Sequence, residues 1–140
     1  MERKNIRDAG LKVTLPRLKI LDMLENSPNK HLSAEDVYKA LMNDGEEIGL
    51  ATIYRVLTQF EGADLVNRHH FEGGNSVFEL NQGEHHDHIM CIKCNRVEEF
   101  VDKVIEQRQS EIASRMGYEI KEHCLHLYGV CSDCAKEALT

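Results

Sequence analysis

Two Cys-x-x-Cys pairs, Cys91-Ile92-Lys93-Cys94 and Cys131-Ser132-Asp133-Cys134, restrict what the second half of this chain can fold into more than any other feature. Four thiolates in two such knuckles match the tetrahedral set of a closed structural zinc site. The 36 residues between the pairs exceed the gap of a simple zinc ribbon. Intervening strands and a helix must therefore bring the knuckles together, and the metal is expected to staple the unit they form. A thioredoxin-like redox pair is the weaker alternative, because neither pair opens a helix within a βαβ pattern. The fifth cysteine, Cys124, is expected to pack as a small apolar side chain.

A staple suits a chain of 140 residues, which makes one domain or two small ones, the latter short of buried surface without a metal or a partner. No apolar run approaches the length needed to cross a bilayer, and Met1-Glu2-Arg3-Lys4 lacks the apolar stretch of a secretory signal. The chain is expected in the cytoplasm, where closely spaced cysteines serve as metal ligands rather than disulfides. Its formal net charge of -7 speaks against a nucleic-acid binder. The distribution qualifies that. Residues 1–20 carry six basic groups, Arg3, Lys4, Arg7, Lys12, Arg17 and Lys19, against Glu2 and Asp8, while the remaining 120 carry eleven basic and twenty-two acidic groups. A basic arm on an acidic body binds DNA poorly until divalent cations improve the local charge or shape.

The first half has helical spacing. Thr14 can cap a helix running to about Glu25 with Leu15, Leu18, Leu21 and Leu24 recurring along it, and Pro16 is tolerated in its first turn. Ser33-Ala34-Glu35-Asp36 has the spacing of a second helix start, after which Val37 and Leu41 share a face and Gly45 ends the element. A third helix is predicted from about Ala51 to Glu61, burying Ile53, Val56, Leu57 and Phe60 and presenting Tyr54, Arg55 and Thr58 on its other side. Two extended segments follow, Leu65 to His70 and Ser76 to Leu80, joined by the glycine-rich Phe71-Glu72-Gly73-Gly74-Asn75. Three helices and a hairpin in that order form a winged helix-turn-helix, with the third helix suited to the major groove.

A boundary is placed at Asn81-Gln82-Gly83-Glu84, giving a winged-helix domain over 1–80, a hinge over 81–84 and a small metal-binding unit over 85–140. The fold class is α+β. In the second unit the pattern reads strand (His86 to Cys91), strand (Val97 to Val101), helix (Asp102 to Met116, apolar at Ile105, Ile112 and Met116), strand (Tyr118 to Tyr128) and a short helix. Its open strand edges invite a second copy.

His85-His86-Asp87-His88 stands at a strand start, where successive side chains point to opposite faces. His86 and His88 therefore serve one site, and His85 and Asp87 another. Glu79, Glu98, Glu99, Glu106, His31 and His123 are the candidates to complete them, in mixed nitrogen and oxygen sets that suit iron, manganese or zinc. Spacing alone does not apportion them.

Ala9 to Thr14, Gly49-Leu50-Ala51-Thr52-Ile53-Tyr54-Arg55-Val56-Leu57, Phe71-Glu72-Gly73-Gly74, His85 to His88 with Cys91 and Cys94, and Leu127-Tyr128-Gly129-Val130-Cys131 together resemble the ferric uptake regulator (Fur) family over nearly the whole chain. The resemblance implies a structural zinc on Cys91, Cys94, Cys131 and Cys134. It implies a regulatory site of His31, Glu79, His86, His88 and Glu99, and an additional site of His85, Asp87, Glu106 and His123. Lys12, Thr52, Tyr54 and Arg55 match DNA-contacting positions. The implied function is an iron-responsive repressor that binds A/T-rich pseudo-palindromic operator DNA as a homodimer, with dimer pairing into tetramers left open. Fe2+ is its regulatory ion, and Mn2+ or Zn2+ can substitute. Relatives that sense peroxide typically have aspartates where this chain has Glu79 and Glu99, which favours iron. Sibling sensors of manganese, zinc or peroxide remain as alternatives, as does, in a different class, a zinc-dependent hydrolase. Catalysis needs an open coordination position and a nearby general base, whereas these ligands are numerous enough to fill every position, so no enzymatic role is expected.

Overall fold

A computed structural model describes residues 2–71, 76–82 and 85–138. It separates into two compact units, Met1–Gly83 and Glu84–Thr140. The tip of the predicted hairpin, 72–75, and residues 83 and 84 of the predicted hinge lie outside the described residues.

The first unit has the order α1 (Glu2–Asp8), α2 (Leu15–Asn26), α3 (Ala34–Asn43), α4 (Leu50–Gly62), β1 (Val66–His70) and β2 (Ser76–Leu80). Local chemistry sets the helix starts. The Thr14 hydroxyl accepts the Arg17 N–H at 3.4 Å to begin α2, and Ser33 and Asp36 satisfy each other's backbone N–H groups at 3.0 and 3.1 Å to begin α3. α4 buries Ile53, Val56, Leu57 and Phe60, which meet Ile20, Leu21, Leu24, Val37, Leu41, Val66 and Phe78 in one core.

Periodicity did not predict α1. Its seven residues carry a single apolar side chain, Ile6, which is fully buried in that core. The Leu11 N–H returns to the Ile6 carbonyl at 3.1 Å, and Gly10 adopts a positive φ of 83° as the helix ends.

β1 and β2 pair antiparallel, with Asn67 opposite Glu79 and His69 opposite Val77. Leu32 adds a bridge to the free edge of β2, exchanging backbone hydrogen bonds with Phe78 at 3.0 and 2.7 Å. That bridge brings the loop carrying His31 alongside Glu79.

The second unit consists of β3 (Asp87–Cys91), β4 (Val97–Phe100), α5 (Lys103–Arg115), β5 (His126–Gly129) and α6 (Ser132–Ala138). Its sheet has the order β4-β3-β5, β4 antiparallel and β5 parallel to the central β3. The expected long strand from Tyr118 is corrected. Gly117 turns the chain at φ 82°, and residues 118–125 run without strand pairing because the chain must cross from α5 to the far edge of β3. One further expectation fails: Cys124 is exposed rather than packed. Ile112 on α5 and Met116 at its end are exposed as well. No helix among the described residues is long and apolar enough to cross a membrane.

Candidate metal centres and nucleic-acid interface

The four cysteines come together because β5 runs parallel to β3 with Gly129 opposite Cys91. Cys91 ends β3 and leads into the first knuckle; Cys131 follows β5 and leads into α6, which carries Cys134. All four sulfurs lie within 4.8 Å of one another, with Cys94 and Cys131 at 3.9 Å. Zinc–sulfur bonds in a tetrahedron imply sulfurs about 3.8 Å apart, so the set fits zinc. Backbone N–H groups of Cys131, Lys93 and Cys94 point at the Cys91 sulfur from 3.4, 3.4 and 3.5 Å. Those from Cys131 and then Cys94 do most to lower its pKa to about 6, which favours the thiolate that metals bind. The Cys134 N–H lowers the pKa of Cys131 in the same way, while the hydrogen bond between the two sulfurs raises that of Cys134.

Histidines and carboxylates form sets within each unit. In the first, the Glu79 carboxylate lies between two imidazoles, His31 Nε2 at 3.0 Å from Oε2 and His69 Nε2 at 2.5 Å from Oε1. His31 and Glu79 are buried. In the second unit, His86 Nε2 lies 3.0 Å from Glu99 Oε2, the His86 and His88 rings are 4.8 Å apart, and His88 is opposite Glu99 across β3 and β4.

A separate set occupies the other parity. His85 contacts Asp87 at 3.1 Å and Glu106 at 3.2 Å, and His123 contacts Glu106 at 2.9 Å. Donor atoms of all four lie within 4.8 Å of one another. Asp87 is 1% exposed, and its Oδ2 has no hydrogen-bond partner among the described residues. A buried acceptor without a donor is costly, and a bound cation would satisfy it. Glu98 belongs to neither set; it lines a cleft beside Cys91 and Cys131.

Sequence reasoning missed His69 and His126. His69 sits two residues from Asn67, the partner of Glu79, so the hairpin register would have placed it diagonally across from that carboxylate. His126 is opposite His88 in β5, with its ring 5.9 Å away. Finding it required the start of β5 and its parallel pairing.

α4 presents Tyr54, Arg55 and Thr58 on its exposed side, with Thr52 half-buried. Two arginines brace this helix. Arg17 binds Gln59 at 2.8 Å and the Lys12 carbonyl at 2.6 Å, tying the exposed Lys12 to α4. Arg68 donates to Thr58 at 2.9 Å and stacks 4.8 Å above the Phe78 ring, tying the hairpin to the same helix. The Tyr54 hydroxyl donates to Glu35 at 3.3 Å.

The family model described as "Ferric uptake regulator family" matches residues 8–128. The ferric uptake regulation protein of Legionella pneumophila is 64% identical over 133 residues, covering 95% of this chain and 98% of that relative. Among solved structures, the Vibrio cholerae ferric uptake regulator superposes with a TM-score of 0.88 at 57% identity, covering 94% of this chain and all of that one. The Francisella tularensis ferric uptake regulator, solved with iron, gives 0.85 at 45% identity, covering 90% and 96%.

Proposed function

The chain belongs to the ferric uptake regulator family, and on that premise we propose that it represses iron-uptake genes, binding A/T-rich pseudo-palindromic operator DNA as a homodimer when ferrous iron is present. The observation that carries this reading is how the ligand types are divided. His31 and Glu79 belong to the unit that bears Tyr54 and Arg55, whereas His86, His88 and Glu99 belong to the unit that bears the four cysteines. We assign the winged-helix DNA-binding domain to 1–80, the hinge to 81–84 and the dimerisation domain to 85–140.

One Fe2+ ion taking ligands from both sets would narrow the orientations the two domains sample. Two recognition helices then meet the operator at one spacing, with less ordering entropy lost on binding. Linkage makes the effect reciprocal, so DNA must tighten iron binding by the same factor. Nitrogen and oxygen donors admit Mn2+ or Zn2+ as substitutes. The four cysteines hold the structural zinc, and His85, Asp87, Glu106 and His123 hold an additional cation.

On DNA, Arg55 donates two hydrogen bonds to a guanine, Tyr54 packs on a thymine methyl and Thr52 supports the helix against the backbone. Lys12 enters a narrow A·T minor groove, drawn by its potential. The exposed apolar side chains of the second unit, Val101, Val104, Met116 and Tyr118 among them, pack against a second copy. The protein works in the cytoplasm and has no catalytic residues.

The test is His31→Ala. Iron affinity and iron-dependent DNA binding should each fall at least about tenfold, while sedimentation still shows the dimer. Unchanged iron affinity, or loss of the dimer, contradicts the assignment.

A further inference from the structure

Zinc bound by the four cysteines would leave that centre with an excess of negative charge. Four thiolates around Zn2+ leave a net charge of about two negative units, and Cys94 is exposed. One cation meets that charge directly. The Arg96 guanidinium places Nη2 3.3 Å from the Cys131 sulfur and 3.0 Å from Asp133 Oδ2.

The position of Arg96 gives this contact a structural meaning. Its carbonyl accepts the Cys91 N–H at 2.9 Å, so its backbone is fixed to the first knuckle. Its side chain reaches the second knuckle, touching Cys131 and the Asp133 that stands between Cys131 and Cys134. Arg96 therefore ties one Cys-x-x-Cys pair to the other without being a ligand. Beside it lies a cleft of about 90 Å³ lined by Ile89, Met90, Cys91, Arg96, Glu98 and Cys131. The cleft opens to solvent and borders two of the four sulfurs, Cys91 and Cys131, so a small reagent can approach them there.

We propose that Arg96 is a positioning residue of the zinc centre: it holds Cys131 in place and restrains that sulfur's exchange with competing reagents entering the cleft. A donor that draws electron density from a ligand sulfur tunes the metal site from outside its coordination sphere, and a thiolate of lower basicity is a poorer nucleophile. A single guanidinium nitrogen, Nη2, bridges the sulfur and the carboxylate, and the guanidinium keeps its charge at any working pH.

The inference rests on the four cysteines holding zinc, so metal content of the full-length protein is measured first. Absence of bound zinc defeats that premise and is distinct from failure of the Arg96 role. The zinc-loaded protein is then mixed with a chromophoric chelator and the rate of zinc transfer followed by absorbance. Arg96→Ala should transfer zinc roughly tenfold faster with an unchanged thermal melt, and Arg96→Lys should recover part of the loss. Asp133→Asn, which frees the guanidinium from its carboxylate, should lie between Arg96→Ala and the parent. A parental rate in Arg96→Ala overturns the proposal. So does a faster rate accompanied by a lower melt and no recovery with lysine, because that pattern marks a general packing role. If Arg96→Ala does not retain zinc on purification, the other two variants decide: faster transfer in both supports the role, and parental rates in both overturn it.

Discussion

Replacing Cys91 by alanine should unfold the second unit and leave the first intact. The two units are held by different means. Fourteen buried side chains from Ile6 to Phe78 form the core of the first. In the second, the buried apolar side chains among the described residues are Met90 and Cys91, worth roughly 1.5 to 3 kcal/mol each for a large apolar side chain fully buried. A structural zinc contributes on the order of 10 to 16 kcal/mol in small zinc-stabilised folds, far more than that apolar burial. Cys91 is the position to replace, since its sulfur accepts N–H groups from both knuckles. Amide hydrogen exchange read by mass spectrometry separates the units in one experiment. Peptides covering β3, β4 and β5 should lose protection in Cys91→Ala and on zinc chelation, while those covering α2, α3 and α4 keep it. Full protection of β3 and β5 in the variant refutes the view that zinc, rather than apolar burial, folds this unit.

Three further outcomes are expected. Arg55→Ala should cost on the order of 1 to 3 kcal/mol of discrimination at a single operator base pair, measured by competition between operator variants; an equal loss on every sequence excludes base reading. Val104, 67% exposed on α5, should tolerate glutamate within the protomer but not within a dimer, so Val104→Glu should sediment as a monomer at concentrations where the parent is dimeric. A dimer of parental stability shows that α5 does not form the interface. Ser33→Ala removes one side of the reciprocal cap on α3 and should destabilise the first unit by about 1 kcal/mol in a urea melt. No change there means the cap contributes nothing measurable.

How much of this was legible depended on whether the signal was local. The caps at Thr14 and Ser33 and the buried stripe of α4 act within a few residues, so pattern and structure agree. The division of His85 with Asp87 from His86 with His88 was readable in part: Asp87 and His88 are successive strand residues on opposite faces, whereas His85 and His86 precede β3. The remainder depended on tertiary context. α1 brings one apolar side chain, Ile6, into the core, and a single residue has no period to detect. The span 118–125 carries residues able to form a strand, but its route is set by β5 joining the far edge of β3. His69 and His126 acquire meaning only through their registers with β2 and β3. The cysteine pairs announced a site, while the role of Arg96 beside it needed the parallel pairing that brings the second knuckle into reach.

On the proposed function, ferrous iron switches on operator binding. Fluorescence anisotropy of a labelled A·T-rich pseudo-palindromic duplex with the zinc-loaded protein, titrated anaerobically with Fe2+ and separately with Mn2+ and Zn2+ at fixed salt, tests it most directly. Tight binding is expected at a lower free concentration of Fe2+ than of either other ion; DNA binding indifferent to metal, or switched on first by another ion, would rule out an iron-operated switch.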